Sequence, residues 1–453
     1  MRLIASVNLS RSRARAIAAG LLLRLVSLSL AESATNSIVE LVASPEPVWP
    51  QWRGPRRDGI SRETGLLPQW PEGRPTLLWT STNLGRGYSS PILSGGRIFL
   101  TGDVGNDLRI YALDLEGKSL WQATNGQAWK GPYPGARACC ALRDGRLFHL
   151  NAHGRVACLE PATGRELWAV DVIERFGGKV PTWALGECLL VDGPRVIVTP
   201  GGSRALMVAL DARTGETLWT TEPLRMEASS DPAHERVTGK PGETDPAGYA
   251  SPILVRFADR RLIVSCSLRH SFGVDADTGA LLWTRPFVTQ YQVIAATPVL
   301  VGDGVFITAP DSDGGKFYHL RRRESSVHPE TVWTSPLDTC HGGLVVAGDA
   351  LFGSWYRRHR GWACVDARTG VIRYETSELA MGSLTYADDR LYCLSQEGEM
   401  ALIRPTPNHF EFTGRFRLVS DHDRDVWAHP VILDGRLYLR YHDRLFCYDI
   451  RAR

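Results

Sequence analysis

Residues 138–168 read ACCALRDGRLFHLNAHGRVACLEPATGRELW, and the order of its parts decides the fold. Three short apolar runs are separated by Asp-Gly and by Asn-Ala-His-Gly. A Thr-Gly turn and a Trp-bearing run then close the phrase. Runs of this length, alternating in polarity and bounded by turn residues, are strands. The phrase recurs at the spacing of propeller blades. It appears as YSSPILSGGRIFLTG…IYALDLEGKSLW from Tyr88 to Trp121, as ECLLVDGPRVIVTPGG…LMVALDARTGETLW ending at Trp219, and as YASPILVRFADRRLIVSCSLRHSFGVDADTGALLW ending at Trp283.

Later copies drift. ATPVLVGDGVFITAP leads to Trp333 with no Thr-Gly turn, and the next copy keeps the turn but has Tyr374 in place of the Trp. GSLTYADDRLYCLSQEGEMALI lacks both, and AHPVILDGRLYLRYHDRLFCYDI supplies three strands before the chain ends. The missing fourth strand is predicted at the other end, in Pro75–Trp79 (PTLLW). Joining the termini in one blade removes exposed sheet edges. The sequence therefore predicts an all-β protein: an eight-bladed β-propeller of four-stranded blades, its last blade closed by the strand around residues 75–79. The propeller spans 75–453 and carries a polar insertion at 224–248. A preceding segment, 32–74, contains WPQWRGPRRDG at Trp49–Gly59 and is expected to pack against a propeller face.

Composition narrows the function. The chain has 453 residues, 43% hydrophobic and 22% charged, with Lys+Arg 52 against Asp+Glu 49. A net charge of +3 gives no basic face for nucleic acid. Five arginines (2, 11, 13, 15 and 24) fall within residues 1–31, which hold no acid and otherwise read as a basic n-region, an apolar run Ala16–Leu30 and a small-x-small cleavage site. That is the layout of an export signal. The expected location is the periplasm or outside the cell, as a monomer with no transmembrane segment in the mature chain. The nine cysteines include no CxxC pair, so neither a zinc site nor a disulfide scaffold is indicated.

The repeated ALD-x-x-TG-x-x-LW phrase, covering nearly all of residues 75–450, resembles the PQQ-like (quinoprotein alcohol dehydrogenase-like) β-propeller repeat proteins. The opening WPQWRGPRRDG and the closing WAHPVILDGRLYLR resemble an exported subgroup often found in Planctomycetes. The resemblance implies one of two functions. One is a binding or scaffold module that meets a protein partner or a small molecule at a propeller face, without bound quinone. The alternative is a quinone- and Ca²⁺-dependent dehydrogenase that oxidises alcohols or sugars at the axial site, with PQQ and Ca²⁺ as cofactors. In the family a vicinal disulfide often stacks on the quinone. Cys139-Cys140 are adjacent here, but they stand in a strand opening, GARACCALRDGRLF, where other copies have Ser-Pro or Thr-Pro. No phrase matches the family's calcium ligands. The acidic clusters Asp311–Gly315 and Asp421–Asp425 read as solvated loops.

The innermost strand of a propeller blade lines the channel, so its opening residues ring one mouth. Aligning the small-residue-Pro openings places Tyr88, Arg137, Gly186, Tyr249, Ala295, His341, Met381 and Trp427 in equivalent positions, with Glu187 and His429 one or two places on. Aromatics, an Arg, a His and a Glu converging there would make a small-molecule site at Tyr88, Arg137, Glu187, Tyr249, His341, Trp427 and His429. Stacking on a flat ligand or a sugar face would fall to the aromatics, and holding a carboxylate to Arg137.

Overall fold

The computed structural model describes residues 39–43, 49–71, 73–227, 239–323 and 326–452. The export signal expected over 1–31 lies outside the described residues, as does 228–238 of the polar insertion. Eight antiparallel sheets form, one per repeat, and the strands each repeat supplies follow chain order from the channel outwards. Blade 1, for example, runs Ile92–Ser94, Arg97–Val104, Asp107–Leu113 and Ser119–Gln127. The eighth blade is closed as the sequence predicts: Thr76–Ser81 pairs antiparallel with Arg444–Asp449, Thr80 opposite Phe446. Blade 4 has a fifth strand, Val39–Leu41, paired with its innermost strand so that Leu41 faces Val255. Among the described residues helix is confined to Val172–Phe176, between blades 2 and 3.

The cores lie between and within blades. Phe148, Val156 and Val172 of blade 2 and its outgoing connection pack with Val196, Val208 and Leu210 of blade 3. This interleaving follows from strand alternation, which sends every second side chain to the neighbouring sheet.

The Thr-Gly and Trp halves of the repeat act between blades. In each of the eight blades the ladder skips one residue on the outermost strand, as between Leu77 and Trp79 or between Thr217 and Trp219. Four of the skipped residues, Leu78, Leu120, Leu167 and Leu218, are left exposed. Such a bulge re-aims the next side chain. Trp79, Trp121, Trp168, Trp219 and Trp333 each then lie over the turn glycine of the following blade. A Cβ on Gly117 would stand 2.5 Å from the Trp79 ring, on Gly164 2.5 Å from Trp121, and on Gly279 2.6 Å from Trp219. The indole N–H caps the same turn: Trp79 donates to Leu115 O at 3.0 Å, Trp121 to Pro161 O at 3.1 Å, and Trp168 to Ala212 O at 3.1 Å. The turn Asp holds its own loop, with Asp211 Oδ1 accepting from the N–H groups of Arg213 and Thr214 at 2.8 and 2.9 Å.

Drift in the repeat has a matching structural consequence. Blade 5 has no Thr-Gly turn, and Trp283 of blade 4 has no bonding partner for its Nε1. Where Tyr374 replaces Trp, its hydroxyl donates to Thr406 O of the next blade at 2.6 Å.

Candidate functional site at the channel mouth

The floor of the site comes from residues ahead of the propeller. Trp49 pairs with Leu93 of blade 1 through N–H···O bonds of 3.0 and 2.8 Å, and Pro50 O accepts from Leu142 N of blade 2 at 2.8 Å. Arg57 donates to Cys188 O at 2.7 Å and to Leu189 O at 3.0 Å, at the start of blade 3. Trp52 Nε1 donates to Thr297 Oγ1 of blade 5 at 3.0 Å, Arg53 donates to Leu344 O of blade 6, and Ser61 N donates to Tyr386 O of blade 7 at 2.9 Å. One short segment reaches the innermost strands of six blades only if it lies on the axis, so residues 49–61 fill the channel. Arg53 (φ 60°) and Arg57 (φ 59°) adopt the left-handed region that non-glycine residues avoid. Their hydrogen bonds to surrounding carbonyls hold them there. Burial pushes both guanidiniums down to about 10, which leaves them charged at neutral pH.

Above this plug lies a cavity of about 350 Å³. Tyr88, Arg137, Gly186, Tyr249, Ala295, His341 and Trp427 all line it. The strand-opening alignment therefore brings seven of its eight positions together; Met381 is not among the lining residues. Tyr88 stacks on Trp427 with ring centroids 4.5 Å apart, and His341 and Tyr133 flank the same indole at 4.5 and 5.1 Å. His341 is kept neutral by burial, which pushes it down to about 4.

Arg137 also holds a loop in place. Its guanidinium donates to Gly135 O (2.8 Å), Pro132 O (2.9 Å) and Tyr133 O (2.8 Å), so it shapes the loop that carries Tyr133 to the rim. Glu187 and His429 lie behind the wall and do not line the cavity. The Glu187 carboxyl accepts from Thr199 N at 3.0 Å and Thr199 Oγ1 at 3.2 Å, and burial pushes it up to about 8. His429 lies edge-on to Trp52 at 4.4 Å and is pushed down to about 3 by burial and by neighbouring Arg53. Cys139 and Cys140 are free, fully buried thiols packed between blades 1 and 2, and neither lines the cavity. Cys139 N donates to the sulfur of Cys188, which does line it.

Strand openings alone miss part of the wall: Trp52, Tyr133, Trp183, Tyr291, Tyr356, Arg357 and Asp311. Asp311 belongs to the stretch read as a solvated loop; instead it is largely buried in the wall and paired with Arg357 at 3.1 Å. Strand parity could have found these positions. Connections into each innermost strand, and hairpins between second and third strands, emerge at the same mouth as the strand openings.

These residues do not suit a quinone–calcium centre. Calcium takes six to eight oxygen ligands, several of them carboxylates. The lining offers one carboxylate, Asp311, already ion-paired. Among the described residues no cluster of three or more His, Cys, Asp or Glu could hold a metal ion. No described helix is long and apolar enough to cross a membrane.

Residues 106–376 match the protein family described as outer membrane protein assembly factor BamB. The chain is 26% identical over 337 residues to the protein of that name from Burkholderia pseudomallei, covering 72% of this chain and 76% of that one. It is 28% identical over 215 residues to methanol dehydrogenase [cytochrome c] subunit 1 of Methylorubrum extorquens, covering 43% of this chain and about a third (33%) of the relative. The quinohemoprotein alcohol dehydrogenase of Comamonas testosteroni superposes with a TM-score of 0.63 at 13% identity, over 90% of this chain and 81% of that one, a likeness of fold.

Proposed function

The chain belongs to the family described as outer membrane protein assembly factor BamB, and from that premise we propose that it is an exported binding propeller. Its ligand is a small ring-shaped molecule, taken at the channel mouth without quinone chemistry. The observation that carries this reading is the cavity of about 350 Å³ walled by aromatic rings above a filled channel. A concave, largely aromatic site with a few fixed polar groups is the usual form of a small-molecule site. The plug supports it by giving the cavity a floor, Trp52, which is hydrogen-bonded to blade 5 and packed on His429. Export is supported by the basic and apolar pattern of residues 1–31. A role in holding protein partners, suggested by the name of the Burkholderia relative, would use the outer faces of the same propeller.

The alternative, a PQQ- and Ca²⁺-dependent dehydrogenase, is supported by the partial match to methanol dehydrogenase and opposed by the donor set of the wall. Titration of the purified chain with neutral sugars, sugar acids, aromatic acids and PQQ plus Ca²⁺, followed by Trp fluorescence and dye-linked oxidation, separates the two. The proposal requires saturable quenching by one ring class and no turnover. Turnover of an alcohol or sugar with PQQ and Ca²⁺ would overturn it.

A further inference from the structure

We infer that the ligand of the channel-mouth cavity is a sugar acid, a pyranose ring bearing a carboxylate; the inference rests on the ligand-site reading above. Aromatic rings alone would equally suit a quaternary ammonium group. Charge decides against it. Arg137 and Arg357 line the cavity, and Arg53 and Arg57 are buried with the floor residue Trp52 in the plug. Two carboxylates close to the site are held by local donors. Asp58 pairs with Arg62 at 3.2 Å, and Asp338 accepts from the N–H groups of Tyr356, Arg357 and Arg358 at 2.9–3.1 Å. Glu187, pushed up to about 8, is for the most part uncharged at neutral pH. In the lining itself two guanidiniums, Arg137 and Arg357, stand against one carboxylate, Asp311, and that excess of positive charge favours an anion over a cation.

Arg357 is the group that can meet the anion. Its side chain is 58% exposed, lies 5.7 Å from the Tyr291 ring and 5.1 Å from the Tyr356 ring, and makes a single ion pair to Asp311. Exchanging that contact for a ligand carboxylate allows a two-pronged bond that one Asp oxygen does not supply.

The phenols separate a sugar acid from an aromatic acid. Tyr88, Tyr133, Tyr249, Tyr291 and Tyr356 line the cavity. The hydroxyls of Tyr88, Tyr249 and Tyr291 already accept from Arg86, the Trp183 N–H and Arg357, and a phenol that accepts still has its own hydrogen to donate, as ring hydroxyls require. Tyr133 and Tyr291, the exposed rings of the wall, present faces for the C–H side of a pyranose. An aromatic acid would cover those hydroxyls without answering them, at a desolvation cost.

The test is calorimetric titration of the full chain at low salt with galacturonate, galactose and benzoate. Galacturonate should bind about tenfold more tightly than either of the others, the worth of one charge-assisted pair. Added salt should narrow that gap. Arg357→Gln should bring galacturonate down to the affinity of galactose. Asp311→Asn, by releasing Arg357, should tighten galacturonate and leave galactose unchanged; should that variant fail to fold, Arg357→Gln alone decides. Equal affinity for galactose and galacturonate, or tighter binding of benzoate, would overturn the sugar-acid assignment and leave the ligand site standing. No binding of any of the three by a normally melting protein would remove the ligand site itself.

Discussion

The six-membered ring of Trp121 lies against the α-carbon of Gly164, so close that a Cβ there would stand 2.5 Å from the indole, while Trp121 Nε1 donates to Pro161 O at 3.1 Å. The two residues belong to successive blades, and the glycine is at φ 75°. Gly164→Ala adds both a clash and a left-handed alanine, a loss of about 2–4 kcal/mol. Thermal melting should fall by several degrees with a change in Trp fluorescence. An unchanged melting temperature would show that the contact between Trp and turn does not hold the blades together.

Glu187 makes stability depend on pH. Its carboxyl is pushed up to about 8 in the folded chain from an ordinary value of 4.5, so the folded state binds the extra proton between those limits. The stability it contributes is fully present below about 4.5 and is lost as pH rises through about 8. Buried His149, His341, His429 and His442, each pushed down to between about 3 and about 4, act oppositely, losing stability as pH falls below 6.5. Glu187→Gln should therefore flatten the alkaline fall in melting temperature and leave the acid limb as it is. A difference between variant and parent that does not vary with pH would contradict this.

Arg57 ties the plug to blade 3. Arg57→Met leaves the carbonyls of Cys188 and Leu189 unanswered, a loss of about 2–4 kcal/mol. Ligand affinity should fall with it, because Trp52 of the cavity floor belongs to the same segment. Proteolysis near residues 49–61 should become faster in the variant. Unaltered cleavage would mean that the plug is held by its other contacts.

The donor set predicts indifference to calcium. Incubation with EDTA should leave the melting curve and ligand binding unchanged. A fall in melting temperature restored by Ca²⁺ would show a cation site that the described side chains do not provide.

The architecture was legible because the repeat is written in residues with one structural meaning each. The Thr-Gly turn needs a glycine at positive φ, and the Trp that follows needs a flat seat. What the linear phrase conceals is that its Gly and its Trp do not touch each other. Gly164 seats Trp121 of the preceding blade, and Trp168 sits on Gly215 of the next. Ring closure was legible for the same reason, since PTLLW was a Trp-bearing strand without a blade.

The site was half legible. Residues opening the innermost strands share one register, so alignment placed Tyr88, Tyr249, His341 and Trp427 together. Glu187 and His429 lie one or two places further along, where Glu187 meets Thr199 and His429 packs on Trp52 of the plug, below the cavity. Arg137 is in place, and it also donates to three loop carbonyls, a matter of local geometry that spacing does not encode. The plug escaped because WPQWRGPRRDG has no repeat partner to set its register.

The most direct measurement is a crystal structure of the propeller soaked with galacturonate. The account predicts difference density for a ring in the cavity beside Tyr133 or Tyr291, its carboxylate at Arg357, with residues 49–61 still filling the channel. A cavity holding only solvent at saturating ligand, or a ring seated elsewhere on the propeller, would contradict it.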